Sequence, residues 1–299
     1  MSVDGILNVL KPAGKTSFEV VSLLRRLSGE PRVGHAGTLD PEATGVLVLC
    51  FGQGTRIVEF LTKASKTYQA EIKLGVATDT YDASGKVIQT GDPSSVTEEQ
   101  VKQVLYSFSG SIEQTPPMYS ALKYKGKRLY QLAWKGIEVT REPRKVQFFR
   151  LELLEWQSPL ITIEVECSAG TYIRSLAQDI GQALGCGAHL QRLVRLKSEP
   201  FHIAEAIPLS SLEEAFHYGY WQCFLYSIDA VILNWKAAIL NQESEVIIKK
   251  GCSITLGDRN LLAYPGDRCR AYSADGRFLA VLRLKEERLW HPEKVFSMS

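Results

Sequence analysis

No uninterrupted apolar run in these 299 residues approaches the roughly 18–20 residues that a membrane-spanning helix needs. The opening MSVDGILNVLKPAGK has no basic patch followed by a long apolar stretch, so no secretory signal is read there. The six cysteines, Cys50, Cys167, Cys186, Cys223, Cys252 and Cys269, are scattered, and none forms a CxxC pair. That argues against a structural zinc site. A reduced, cytoplasmic setting is expected. Internal repeats and low-complexity stretches are also lacking. Net charge is only +2, so the chain as a whole does not announce a polyanion partner.

What is present is the composition of a globular protein: 45% hydrophobic and 23% charged residues. At roughly 150 residues per domain, about two domains are expected. Charge is concentrated locally. From Tyr119 to Arg150 there are nine Lys or Arg against two acids, Glu138 and Glu142, a local +7. Such a stretch attracts a polyanion even on a near-neutral protein, although a charge run can equally be a solvated face.

Periodicity places the elements. ILNVL (6–10) reads as a buried strand. Thr16 with Glu19 forms a capping box, and Phe18, Val21, Leu24 and Leu27 follow at helical spacing up to Gly29. A Gly-rich loop from Gly34 to Gly45 leads into the strand VLVLCFG. KTYQAEIKLG alternates, with Tyr68, Ala70, Ile72 and Leu74 on one face. DASG (82–85) is a turn, and Thr97 caps a helix to Phe108. QFFRLELLEW and ITIEVECS read as strands. TYIRSLAQDIGQALG reads as an amphipathic helix with Ile173, Leu176, Ala177, Ile180 and Leu184 inward and Gly185 as its stop. After about residue 235 the pattern changes: SEVIIKKG, LLAYP, CRAYSADGRFLAVLRL and EKVF read as short strands of a small all-β module.

The segment VGHAGTLDPEATGVLVL (33–49) carries the most chemical information. Its glycines let the chain turn and let a ligand approach closely. Taken alone, Asp40 followed by Pro41 is more simply a helix N-cap than a reactive carboxylate. Tyr68, Arg174, Leu193 and His35 likewise have plain readings: core tyrosine, helix-surface arginine, core leucine, loop histidine.

Together they read differently. GHAGTLDPEATGVL closely resembles the catalytic motif of the TruB-type pseudouridine synthases, a family in which the aspartate of GxLDxxATG is the nucleophile. LNVLKPAGKTS, SKTYQAEIKLGVATDTYDASG, PPMYSALKYKGKRLYQLAWKGIEVTREPR and CSAGTYIRSLAQDIGQALGCGAHLQRLVR resemble further motifs of that family, in order, over about residues 5–200. The remaining C-terminal segment is a weaker match to the family's PUA module. The resemblance implies an α+β catalytic domain over 1–234 on a mixed, largely antiparallel sheet, with an RNA-clasping insertion near 119–150. A small PUA-like β domain would occupy 235–299.

By position, the resemblance makes Asp40 the nucleophile and Tyr68 the residue that stacks on the flipped base and is a candidate proton-transfer base. It makes Arg174 the partner of the catalytic carboxylate and Tyr172 a substrate-contacting aromatic. Leu193 would line the base pocket, and His35 would touch the RNA where the base leaves. Lys123 and Arg128 fall in the basic insertion, whose cations interleave with Tyr119, Tyr124, Tyr130 and Trp134, the ingredients of RNA contact. The implied reaction converts uridine-55 of the tRNA T loop to pseudouridine, with no cofactor and no metal. A monomer is expected, since no large exposed apolar helix suggests an obligate dimer.

Other readings fit less well. GKTS (14–17) follows a strand and opens a helix, but a phosphate-binding loop needs glycine where Val9 stands, and Pro12 stiffens the loop. Asp79 and Asp82 lack calcium-loop spacing, so a turn is expected. A glycoside hydrolase would need Glu42 as proton donor beside Asp40; the family pattern gives Glu42 no role. A non-catalytic RNA-binding protein with a decayed site would not need Asp40, Tyr68 and Arg174 together.

Overall fold

The computed structural model describes residues 3–256 and 263–296. Its centre is a ten-stranded sheet. The main path runs Ile207–Pro208, Gly5–Lys11, Thr44–Phe51, Ala188–Ser198, Lys66–Leu74, Leu160–Cys167, Arg144–Gln157, Gly110–Gln114. Val33–His35 and Phe201–His202 pair beside it. Gly5–Lys11 with Ile207–Pro208, and Thr44–Phe51 with Ala188–Ser198, are parallel; the other pairs are antiparallel. The sheet is therefore mixed and largely antiparallel.

Strand Lys66–Leu74 shows how sequence makes this surface. Its buried residues alternate without a break, Tyr68, Ala70, Ile72 and Leu74 among them. Both edges are hydrogen-bonded, to Leu160–Cys167 and to Ala188–Ser198. Full burial of Ile72 or Leu74 contributes about 1.5–3 kcal/mol each. The main core includes Leu7, Leu47, Ile72, Ile163 and Leu176. A further cluster joins Ile6, Val46 and Val48 of the sheet to Phe278, Val281 and Phe296 near the C-terminus.

Helix Ser17–Ser28 begins with the expected reciprocal cap between Thr16 and Glu19 and ends at Gly29 in the left-handed region. A cap of this kind is worth about 1 kcal/mol. Its buried face is Ser17, Val20, Val21 and Leu24, while Phe18 and Leu27 are exposed, contrary to the spacing argument. At 100° per residue Phe18 and Leu27 lie about 110° and 70° from the centre of that face. Helices Glu98–Phe108 and Ile173–Ala183 form where expected, the first with a Thr97–Gln100 capping box. Helix Leu209–Tyr218, beyond the elements expected from periodicity, buries Leu209, Leu212 and Ala215 and stops at Gly219.

The C-terminal segment forms its own five-stranded sheet, in the order Lys236–Leu240, Arg268–Ser273, Phe278–Glu286, Leu289–Val295, Ile254–Thr255. SEVIIKKG is not a strand but lies mostly in helix Gln242–Lys249, capped by the Asn241 side chain on Ser244 N at 2.9 Å. Local capping and burial of Ile248 override its β-branched composition. Leu261 and Leu262 of the expected strand LLAYP lie outside the described residues.

Candidate active site

The segment bearing Asp40 is a loop between strands Val33–His35 and Thr44–Phe51, and no helix starts there. Asp40 is thus not a helix cap; its carbonyl accepts from Ala43 N in a tight turn, 3.1 Å. Almost every residue of the loop is tied down. Ala36 N donates to Val48 O at 2.9 Å. Gly37 O and Thr38 O accept from the Arg195 guanidinium at 3.1 and 3.3 Å. Leu39 exchanges two bonds with the buried Ser17 hydroxyl, 2.8 and 3.0 Å. Pro41 O accepts from Lys11 Nζ at 2.9 Å and from Gly14 N at 3.1 Å. Gly45 leaves the loop at φ +106°, and a Cβ there would collide with the Arg195 backbone. Only glycine permits this close parallel approach of the two strands.

Arg174 meets Asp40 at this loop. Arg174 Nε lies 3.0 Å from Asp40 Oδ2 and Nη2 lies 3.2 Å from Oδ1, a two-pronged, charge-assisted contact. Nη2 also donates to Tyr119 O at 2.9 Å, which ties the base of the basic insertion to the same guanidinium. Nη1 faces Asp82 Oδ2 at 3.5 Å. Asp82 Oδ1 in turn accepts from Thr80 Oγ1 and Ser84 Oγ, both at 2.6 Å, and from Ser84 N at 3.1 Å. One guanidinium therefore serves two carboxylates.

Asp40 keeps 41% of its side chain open to solvent, yet protein crowds the rest. Desolvation pushes its pKa above the ordinary carboxylate value, Arg174 pulls it down, and Asp82 adds to the rise. The guanidinium is what favours the ionised form of a carboxylate in this setting.

Tyr68 is 9% exposed and belongs to the main core with Leu39, Ala43 and Leu193. Burial raises its phenol pKa, and the charge of Arg195 opposes that rise. Leu193 is buried opposite Ala70 in the neighbouring strand. Tyr172 sits just before helix Ile173–Ala183, where the Gln114 side chain clamps its backbone on both sides, 2.7 Å to N and 3.0 Å to O. His35 is half-buried, and its Nδ1 is a buried atom without a partner among the described residues. Burial and then Arg195 lower its pKa, which favours the neutral imidazole.

Lys123 and Arg128 face each other across a small hairpin, Lys123–Tyr124 with Lys127–Arg128, that turns at Lys125 and Gly126, both at positive φ. Asp40 and Arg174 thus meet directly, and Tyr68 and Leu193 share the main core with Leu39 and Ala43 of the Asp40 loop, whereas Lys123 and Arg128 are exposed on the hairpin. Next to the hairpin, Trp134 is exposed and lines an open recess with Lys127, Gln131, Leu132 and Lys135.

Sequence reasoning missed the supports. Asp82 reads only as a turn residue, and the sequence assigns no role to Ser17 or Arg195. Lys11 is buried, gives its three protons to Pro12 O, Lys15 O and Pro41 O at 2.8, 2.5 and 2.9 Å, and has a pKa lowered to about 8 by burial. A charged residue inside the strand ILNVLK–PAG was the one available signal. Among the described residues no group of three His, Cys, Asp or Glu is placed to hold a metal ion, and no helix is long and apolar enough to cross a membrane.

Comparison with known proteins adds to this geometry. Residues 25–173 match the model of the TruB family pseudouridylate synthase N-terminal domain, and residues 174–238 match the tRNA pseudouridylate synthase B C-terminal domain. The border between the two models falls within helix Ile173–Ala183. A tRNA pseudouridine synthase B of Dehalococcoides mccartyi is 43% identical over 98% of this chain and 97% of its own length. The protein of that name from Clostridium acetobutylicum is 41% identical over 95% and 97%. Among solved structures, a Cbf5–Nop10–Gar1 complex contains a chain with a TM-score of 0.76 at 26% identity, covering 98% of this chain and 85% of that one. An H/ACA ribonucleoprotein bound to a substrate RNA with 2′-deoxyuridine gives a TM-score of 0.74 at 24% identity, covering 98% and 85%.

Proposed function

The chain belongs to the TruB family of pseudouridylate synthases, and from that premise we propose that its target is uridine-55 in the T loop of tRNA, with Asp40 as the nucleophile. It isomerises uridine to pseudouridine in tRNA. Its fold is the α+β synthase domain followed by a small PUA-like β domain. The observation that carries the site reading is the two-pronged contact of Arg174 with Asp40 beside the Tyr68 strand.

The reaction breaks the bond from C1′ to uracil N1 and makes one from C1′ to C5. N1 gains a proton and C5 loses one, so electrons balance with no outside oxidant or reductant. A carboxylate serves as nucleophile only when ionised, and Arg174 favours that state. The reacting atoms are hidden in the RNA stack, so the base must be extruded onto an aromatic face and an apolar wall. Tyr68 supplies the face and is a candidate for the proton transfer at C5. Leu193 supplies the wall, Tyr172 contacts the substrate, and His35 meets the RNA where the base leaves.

The division of labour follows. Residues 1–234 carry the chemistry and 235–299 add contacts to the tRNA. The protein works as a monomer in the cytoplasm. Lys123, Arg128 and their neighbours hold phosphates. Alanine at Lys123, Lys125 and Lys127 together is expected to weaken tRNA binding and to reduce the slope of log affinity against log salt by up to about 2–3 units. Filter binding across a salt series reads this, and an unchanged slope removes the insertion from the interface.

The reaction class is tested with unmodified tRNA transcript tritiated at uracil C5. Forming the C1′–C5 bond must release that tritium to water. Release is expected with wild-type protein, mapped to position 55. No release despite tight tRNA binding would point instead to an RNA-binding protein without this chemistry.

A further inference from the structure

We propose that Arg195 is a positioning residue for this isomerisation: its guanidinium holds the 36–43 loop in the curve that presents Asp40 to Arg174, while facing Tyr68 from the adjoining strand. The inference rests on the reading of the chain as a tRNA uridine isomerase.

Arg195 is 1% exposed and is among the largest fully buried side chains of the protein. Burying a guanidinium is costly unless its N–H groups find acceptors. Here three of its five N–H groups donate to main-chain carbonyls: Nε to Val46 O at 2.7 Å, Nη2 to Gly37 O at 3.1 Å and Nη1 to Thr38 O at 3.3 Å. These three oxygens lie on both sides of Asp40 in sequence. One side chain therefore spans the loop from its entry to the strand that follows it.

Strand register places the same residue against Tyr68. Arg195 lies opposite Tyr68 in the antiparallel pair and beside Gly45 in the parallel one. Residues directly opposite in an antiparallel pair point to the same face of the sheet. The loop that carries Asp40 and the strand that carries Tyr68 are thus referred to one rigid group. Its charge favours the phenolate of Tyr68 and the neutral form of His35.

The chemistry asks for arginine in particular. Lys11 and Lys66 are also buried on three carbonyls each, but those carbonyls converge on one ammonium. The Arg195 carbonyls are reached by three separate nitrogens of a planar fork, which a point donor cannot do. Misplacing a reacting group by about 1 Å can cost on the order of 10²-fold in rate.

The test compares Arg195→Lys with wild type in the tritium-release assay, alongside tRNA affinity and thermal melting. Leu105→Ala, in the core of helix Glu98–Phe108, serves as the stability control. Arg195→Lys is expected to melt cooperatively, to bind tRNA within about threefold of wild type and to lose on the order of 10²-fold in kcat. Leu105→Ala is expected to lower Tm with kcat retained. Turnover of Arg195→Lys near wild type overturns the inference. So does an equal loss in Leu105→Ala, or loss of the cooperative melt in Arg195→Lys, because either makes Arg195 part of the general frame. Absence of release by wild type overturns the isomerase reading itself, a separate outcome.

Discussion

Asp40→Asn is expected to lower tritium release by on the order of 10⁴-fold or more, the scale seen when an attacking side chain is removed, with tRNA affinity within about threefold of wild type. The carboxamide has the shape of the carboxylate but no negative oxygen to attack the sugar or the ring. The site around it should persist. Arg174 keeps Tyr119 O and Asp82, and the loop keeps its bonds to Arg195, Ser17 and Lys11. Single-turnover release and filter binding on one preparation separate the two effects. Turnover within tenfold of wild type would remove Asp40 from the chemical step.

Arg174→Met is the second large effect, and it carries a pH signature. The substitution leaves Asp40 and Asp82 facing each other without their shared cation. Removing a preorganised electrostatic partner costs about 10²–10³-fold in turnover. The sign of the pH effect follows from the causes. Burial already raises the Asp40 pKa, Asp82 raises it too, and Arg174 lowers it. Without Arg174 the pKa climbs further. Activity needs the ionised carboxylate, so it is present above that pKa and lost as pH falls through it. The acid limb of the pH–rate profile is therefore expected at higher pH in Arg174→Met than in wild type. Arg174→Lys keeps the charge but loses the fork, so its limb should move less than that of the methionine variant. A limb that stays in place in Arg174→Met would show that Asp40 ionisation does not govern the rate.

How much was legible depends on whether the information was local. The alternation in KTYQAEIKLG predicts the buried face of its strand, and the structure agrees residue by residue at Tyr68, Ala70, Ile72 and Leu74. The Thr16–Glu19 capping box is a four-residue signal and forms, as does the Thr97 cap. Reading failed where competing local signals were close in strength. Val246, Ile247 and Ile248 look like a strand, yet Asn241 caps a helix there and Ile248 alone of the three is fully buried. Leu209, Leu212 and Ala215 recur at helical spacing before Gly219, a signal as local as the ones above.

By itself the sequence determined the family, the α+β class and the residue types at the site, because each is carried by a contiguous motif such as GHAGTLDPEATGVL. Tertiary structure decided which groups act on one another. Asp40 and Arg174 are 134 residues apart, Arg174 and Asp82 are 92 apart, and Arg195 reaches back 158 residues to Gly37. No periodicity encodes such contacts. They arise because the sheet brings the Thr44–Phe51, Lys66–Leu74 and Ala188–Ser198 strands side by side, and a buried cation is tolerated only where folding has already gathered enough oxygens to surround it.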